Sequence, residues 1–243
     1  MTVIVTGGSR GIGRQIVERL AGEGHRVVFT HSGSDRDAAD VERACGAGVR
    51  GVRLDVTDVD APMRLFDIAQ THGPVTALVN NAGVTGPLGP LTALDDDSLR
   101  RTVEVNLVAV ARLCREAARR WQSGSTTADR RDIVNVSSVA ARTGSPGEYV
   151  VYAATKAALD ILTVGLAKEL GASGIHVNCV RAGTTNTTIH ARAGDAERPG
   201  RVARHIPVGR VAEPDEIAAA VVWLLSADAG YVTGSVLDVA GGL

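Results

Sequence analysis

The chain has 243 residues, 44% hydrophobic and 22% charged, enough for one large core without a second domain. Its 26 basic and 27 acidic side chains leave a formal net charge of -1, so no field of one sign points to nucleic acid or an anionic membrane surface. The opening MTVIVTGG has neither a basic flank nor a long apolar segment, so no signal peptide and no membrane span is expected, and the predicted location is cytoplasmic. In chain order, TVIVT reads as a first strand that runs into a glycine-rich turn and a helix near 11–23. RVVFT follows as a strand with a weaker helical pattern near 35–46, then VRGVRLD with a helix near 59–71, and VTALVN with one near 98–121. RDIVNVS precedes a helix near 150–171, GIHVNCV is the sixth strand, and a helix near 214–226 leads to the last, SVLDV.

Several of these strands are nearly continuous apolar runs, the pattern of parallel strands covered on both faces. Alternating β and α units require right-handed crossovers. The expected fold class is α/β, a single-domain doubly wound parallel sheet of Rossmann type with helices on both faces, spanning 1–243. One stretch, 184–209, is small, polar and basic without strong periodicity, and a connection that long in a compact domain is expected to act as a substrate lid. It carries His190 and His205, which read as surface histidines or substrate contacts, and arginines 192, 198, 201 and 204, which read as solvated charges or as attractants for an anionic substrate. Cys45, Cys114 and Cys179 lie far apart without metal-ligand spacing and read as reduced structural thiols. The six histidines show no HxxxH or HxxE pairing, so no metal site is expected.

VIVTGGSRGIGRQIVERLAGEG is strand, glycine turn and amphipathic helix. Gly7, Gly11 and Gly13 permit a sharp turn, close approach to a pyrophosphate and tight helix–strand packing, and the helix N-terminus offers unpaired amides to the negative charge. The turn, including Ser9, Arg10 and Ile12, therefore reads as the cradle of a dinucleotide, against the plainer reading of a tight βα connection. Its spacing is TGxxxGxG. An acid at the end of the second strand would bind a ribose diol and repel a 2′-phosphate, but Thr30, His31 and Ser32 stand there instead. With no carboxylate opposing the phosphate and Arg10 able to make a charge-assisted contact, NADP(H) is expected in preference to NAD(H).

Tyr152 and Lys156 are one helical turn apart in VVYAATKAALDIL, so phenol and ammonium share a face and a cation sits beside an ionisable hydroxyl. Ser137 and Ser138 lie upstream. Tyr149 lacks a lysine four positions on and reads as a pocket wall.

Together TGGSRGIG, LDVTD, NNAG at 80–83, the asparagine of VEVNLVAV, VNVSS, YAATK, VNCVRAG and the closing YVTGSVLDVAGGL resemble the short-chain dehydrogenase/reductase family, in its order and at about its spacing, over essentially the whole chain. The likeness is to the single-domain, 3-oxoacyl reductase-like branch. It implies a nicotinamide-dependent enzyme, commonly a homotetramer, that interconverts a carbonyl compound and an alcohol. Residue by residue, Asp55 and Val56 resemble the pair that contacts adenine, and Asn81, Ala82 and Gly83 the segment beside the cofactor. Asn106 resembles the asparagine that holds a relay water. Ser138 resembles the serine that binds the substrate oxygen, Tyr152 the acid or base, and Lys156 the residue that binds the nicotinamide ribose and lowers the tyrosine pKa. Thr187, four positions after Gly183, resembles the threonine that fixes the carboxamide.

Two departures stand out. Many members separate the serine and tyrosine by thirteen positions, whereas Ser138 and Tyr152 are fourteen apart, and the added residue is expected in the loop near Pro146 and Gly147. Ala182 stands where the family usually has proline, which frees a φ angle, restores an amide donor and is expected to loosen the start of 184–209. The substrate is left open among ketoacyl thioesters, sugars, steroids and small ketones. A carrier-protein substrate ranks below a free carbonyl compound, because the GASG turn carries Ser173 where such reductases often have a basic residue, although Arg130 and Arg131 precede the fifth strand. A cofactor-binding regulator or scaffold without turnover is the alternative. An epimerase or dehydratase of the extended branch would need a further C-terminal substrate domain, for which the sequence has no room after Leu243.

Overall fold

The computed structural model describes residues 1–123, 130–188, 194–195 and 197–243. Seven strands form one parallel sheet in the order β3-β2-β1-β4-β5-β6-β7: β1 Thr2–Val5, β2 Arg26–His31, β3 Val49–Arg53, β4 Val75–Asn80, β5 Arg131–Ser138, β6 Ile175–Ala182 and β7 Val236–Val239. All seven expected strands are present, and the expected doubly wound architecture is the one observed. Alternation along β1 divides the core. Val3 and Val5 face one cluster with Ile16, Leu20 and Ile217, while Ile4 faces the other with Leu65, Leu113 and Leu159. One face of the sheet is covered by α1 Gly11–Gly22, α2 Asp35–Cys45 and the helix Pro214–Leu225; the other by α3 Ala61–Gln70, α5 Ala109–Ser123 and α7 Val150–Leu170.

Helix starts follow local chemistry. Ser34 Oγ accepts from the Asp37 amide at 3.2 Å to cap α2, and Asp95 Oδ1 accepts from the Ser98 amide at 2.8 Å to cap α4 Asp96–Val103. Pro214–Leu225 opens with proline and a reciprocal Glu213–Glu216 capping box. Arg19 on α1 forks onto Asp215 at 2.5 and 2.7 Å, fastening two helices of one face.

Three details depart from the expectation. The single helix near 98–121 is broken: α4 passes through a π-helical turn, Glu104–Val108, before α5 begins, and Asn106 sits in that turn. Ala182 is the last residue of β6, paired with Ser138 and Val239, so the strand runs two residues beyond the expected GIHVNCV and the start of the following segment is held in the sheet rather than loosened. That segment is pinned again where Thr185 bridges Ala212 and the Ala212 amide donates to Thr184 O at 2.9 Å. Of 184–209, the described part carries a short helix, Arg198–Ala203, while His190 and Arg192 lie outside the described residues. Val150–Ser173 is also long and apolar enough to cross a membrane by length and composition, but it carries buried Lys156 and Asp160 and packs on β5 and β6.

Candidate active site

The strand order reverses between β1 and β4, and a cavity of about 420 Å³ opens at the carboxyl ends of the strands there. Every residue expected to bind cofactor or act on substrate lines this one cavity except Asn106, which is fully buried behind it. Gly7, Ser9, Arg10, Gly11, Ile12 and Gly13 form one wall, His31 and Ser32 the far end, Asp55 and Val56 the floor of that end, and Asn81, Ala82 and Gly83 the wall after β4. Ser138, Tyr152, Lys156, Gly183 and Thr187 surround the opposite end.

The glycine turn is packed to its limit. A Cβ on Gly13 would stand 2.2 Å from Gly7 O and 2.4 Å from Asn81 Nδ2, and Gly7 itself takes φ +69°. Gly8, which sequence reasoning passed over, packs its bare Cα on Phe29, where a Cβ would stand 2.5 Å from the Phe29 Cβ and 2.8 Å from its ring; its signal was the second glycine of the TGG pair. Asn81 ties the two loops together: Nδ2 donates to Thr6 O at 2.9 Å and Gly7 O at 3.1 Å, while the Asn81 and Ala82 amides both donate to Thr6 Oγ1 at 3.0 Å. The cleft is thus a backbone-lined cradle at a helix N-terminus, with the shape and donors a dinucleotide pyrophosphate requires.

At the β2 end the expectation needs correcting. Asp35, from the first turn of α2, brings a carboxylate within 3.8 Å of His31 Nδ1. The helix start folds back over the strand end, which a reading of RVVFTHSGS alone does not reach. That carboxylate is neutralised by Arg53 at 2.9 Å, and the Arg10 guanidinium lies against the same loop, 3.3 Å from where a Cβ on Gly33 would stand. His31 is buried, and its Nδ1 has no hydrogen-bond partner. Asp55 is also more engaged than expected. Burial pushes its carboxyl up, but hydrogen bonds from Thr57 and from Arg101, at 2.7–3.0 Å, hold it below the usual carboxylate range. Arg101 itself reaches the cavity, a position no motif marks.

At the other end, Ser138 and Tyr152 line the cavity together, and Ser138 Oγ accepts from the Ala140 amide at 3.2 Å. Ser137 points the opposite way and donates to Lys156 O at 3.0 Å, as strand alternation requires. Between serine and tyrosine the chain forms α6 Ala140–Thr143 and a loop in which Gly144, Ser145 and Gly147 all take left-handed φ values of 72°, 43° and 72°.

Lys156 is buried; its Nζ donates to Val136 O at 2.7 Å and lies 5.6 Å from the Tyr152 ring centroid. Burial pushes it down to about 8. The expected lowering of the tyrosine is not seen in the protein alone. Burial raises Tyr152, and the opposing pulls come from the nearby Ser138 hydroxyl and the charge of Arg198. The Lys156 ammonium spends its hydrogen bond on the Val136 carbonyl and none on the phenol.

Asn106 spends its side chain on protein. Oδ1 accepts from Val84 N at 2.9 Å, and Nδ2 donates to Val84 O at 2.8 Å and Thr155 Oγ1 at 3.1 Å; Thr155 in turn donates to Tyr152 O at 2.7 Å. It joins the loop after β4 to the helix that carries the tyrosine. Arg198 is not solvated: it forks onto Glu148 at 2.6 and 3.2 Å, covers the Tyr149 ring at 5.5 Å and lines the cavity. Tyr149 is buried and walls the cavity as expected, edge-on to Tyr152. Arg201 instead pairs with Asp195. Among the described residues no cluster of histidine, cysteine and acid has metal-site geometry.

The family model described as enoyl-(acyl carrier protein) reductase matches residues 7–243. The uncharacterized oxidoreductase YgfF of Escherichia coli (strain K12) is 43% identical over 98% of this chain and 98% of its own. The 3-ketoacyl-(acyl-carrier-protein) reductase of Brucella melitensis, solved with NADH, superposes with a TM-score of 0.92 at 27% identity, over 99% of this chain and 97% of that one. A blue fluorescent protein from a metagenomic library, solved with NADPH, gives 0.89 at 34% identity over 99% and 96%. With a glycine turn at one end of the cavity and Ser138 and Tyr152 at the other, the chain belongs to the short-chain dehydrogenase/reductase family of oxidoreductases.

Proposed function

We propose that the protein is an NADP(H)-dependent oxidoreductase that interconverts a carbonyl and a secondary alcohol, with Tyr152 as general acid and base. The observation that carries this reading is that Ser138, Tyr152 and buried Lys156 line the same cavity as Arg10 and His31. Relatives of known structure hold NADH or NADPH, so the preference between them rests on this chain's own residues. Arg10 against the Gly33 loop, and an Asp35 carboxylate already neutralised by Arg53, favour a 2′-phosphate.

A nicotinamide bound in the cavity supplies the hydride to the carbonyl carbon, or accepts it in the reverse direction. The rest falls to side chains. Ser138 donates to the substrate oxygen and holds it within reach of the phenol, and Tyr152 passes its proton to that oxygen as negative charge develops there. The phenol that burial holds protonated is the form needed to act as an acid in reduction. Lys156 stands one turn away with its ammonium 5.6 Å from the Tyr152 ring centroid, and would bind the cofactor ribose. Asn106 fixes the tyrosine helix to the loop beside the cofactor, and a relay water beside it would return the proton. Thr187, near Gly11 across the cavity, would hold the carboxamide.

A free carbonyl compound ranks above one borne on an acidic carrier, since Arg130 is spent on Asp132 and on the carbonyls of Leu224 and Ser226. The lid role of 184–209, read from its length without periodicity, assembly as a homotetramer, read from the family resemblance, and a cytoplasmic location complete the reading. Oxidation of NADPH and of NADH by purified protein, followed with a panel of β-ketoesters, cyclic ketones, diketones and acyl thioesters, tests it. Faster turnover with NADPH is expected. Faster turnover with NADH overturns the cofactor preference, and tight binding without turnover of any of these classes favours a regulatory or scaffold role.

A further inference from the structure

Behind the ammonium of Lys156 lies a chain of charges that no step above uses. Asp160 stands one helical turn further along α7 and is buried. Its Oδ2 accepts from Arg181 Nε at 2.8 Å and its Oδ1 from Cys179 Sγ at 3.5 Å. Arg181 continues to Asp238 at 3.1 Å, and Asp238 to Arg142 at 2.6 Å, on α6 at the protein surface. Carboxylate and ammonium thus sit on one helix at i and i+4, with about 5–6 Å between Cβ atoms, in a part of the core where water screens little.

We propose that Asp160 is a positioning residue for the catalytic site: its carboxylate, held by Arg181, supplies the negative field that keeps the buried Lys156 protonated beside Tyr152. The inference rests on the reading of Lys156 as the cation of the reaction. Among the described residues, Tyr152 and Asp160 stand on the lysine's own helix, Ser137 and the Val136 carbonyl on β5, Cys179 on β6 with Arg181 beyond Asp160, and uncharged Gly83 and Asn106 on the other side. The Cys179 thiol is pushed up to about 12, chiefly by burial, so it is neutral wherever the lysine titrates. Asp160 is left as the anion. Burial already brings Lys156 down to about 8, so a further fall would leave an uncharged amine at neutral pH.

The sequence makes a direct test practical, because Lys156 and Lys168 are its two lysines and Lys168 is exposed. Protein labelled with ¹³C-lysine gives two side-chain signals, assigned with Lys168→Arg, and pH titration reads the buried one without any turnover. Asp160→Asn is expected to move its midpoint down by about one pH unit, and Arg181→Gln, which frees the carboxylate from its partner, to move it up. General loosening of the core would shift both the same way. Opposite shifts support the proposal. An unmoved midpoint in Asp160→Asn, or shifts of one sign in both, overturns it, and if one variant does not fold the sign in the other decides. Failure of the catalytic reading appears elsewhere, as wild-type protein that binds cofactor without turning over.

Discussion

Replacing Asn106 by alanine removes three hydrogen bonds at once, those to Val84 N, Val84 O and Thr155 Oγ1, from a side chain with no exposed surface. Thr155 is itself buried, so water does not readily take the vacated positions. Each bond is worth about 1 kcal/mol net, and leaving its partner unsatisfied costs about 1–3 kcal/mol. Relaxation of the loop recovers part of this, so the expected loss is about 3–5 kcal/mol, a large share of the roughly 5–15 kcal/mol typical of a domain. Urea denaturation followed by the fluorescence of Trp121 and Trp223 measures it. Asn106→Asp is the sharper variant. It keeps the bond from Val84 N but sets a carboxylate oxygen against the Val84 carbonyl, so it is expected to cost at least as much at neutral pH and to recover on acidification. A loss under about 1 kcal/mol for the alanine variant would refute the role of Asn106 as the tie between the cofactor loop and the tyrosine helix.

Gly13→Ala places a methyl 2.2 Å from a backbone oxygen, so the turn must open; we expect nucleotide affinity to fall about ten- to a hundredfold, read by calorimetry. Arg10→Gln is expected to weaken NADPH by about tenfold or more while changing NADH by less than about threefold, since a charge-assisted bond is lost only to the 2′-phosphate. Lys156 carries a pH signature of stability. Its folded pKa is lowered to about 8, so below that pH both states are protonated and the full burial cost, about 3 kcal/mol, is present. As pH rises from there toward the ordinary lysine value, the folded state releases its proton while the unfolded state keeps it, and the cost disappears. The stability advantage of Lys156→Met over wild type should therefore shrink between pH 7 and pH 10, and a constant difference would contradict the assignment.

Periodicity and punctuation carried the fold. Seven apolar runs separated by helical patterns fix a parallel sheet because each crossover has one hand, and the serine of the pair could be chosen because side chains alternate along β5. What escaped had no local signal. The π-helical turn depends on Asn106 reaching Val84 and Thr155, contacts separated by 22 and 49 positions. Asp35 and Arg53 meet at the β2 end only because α2 and β3 fold over it. Arg198, in a stretch without periodicity, is drawn into the cavity by Glu148 and the Tyr149 ring, contacts about fifty positions away. The buried Asp160–Arg181 pair reads in sequence as two ordinary charges. The direction of the Tyr152 shift was misjudged for the same reason: one helical turn places a lysine nearby, but the carbonyl of Val136, on another strand, decides where its ammonium points.

The central claim is that Tyr152 moves the proton while the rest of the cavity binds. Steady-state turnover and NADPH affinity of Tyr152→Phe, measured side by side with wild type on the best carbonyl substrate, test it most directly. Loss of turnover by about a hundredfold or more with NADPH affinity within about threefold is the expected result. Turnover that survives the loss of the hydroxyl would contradict the account.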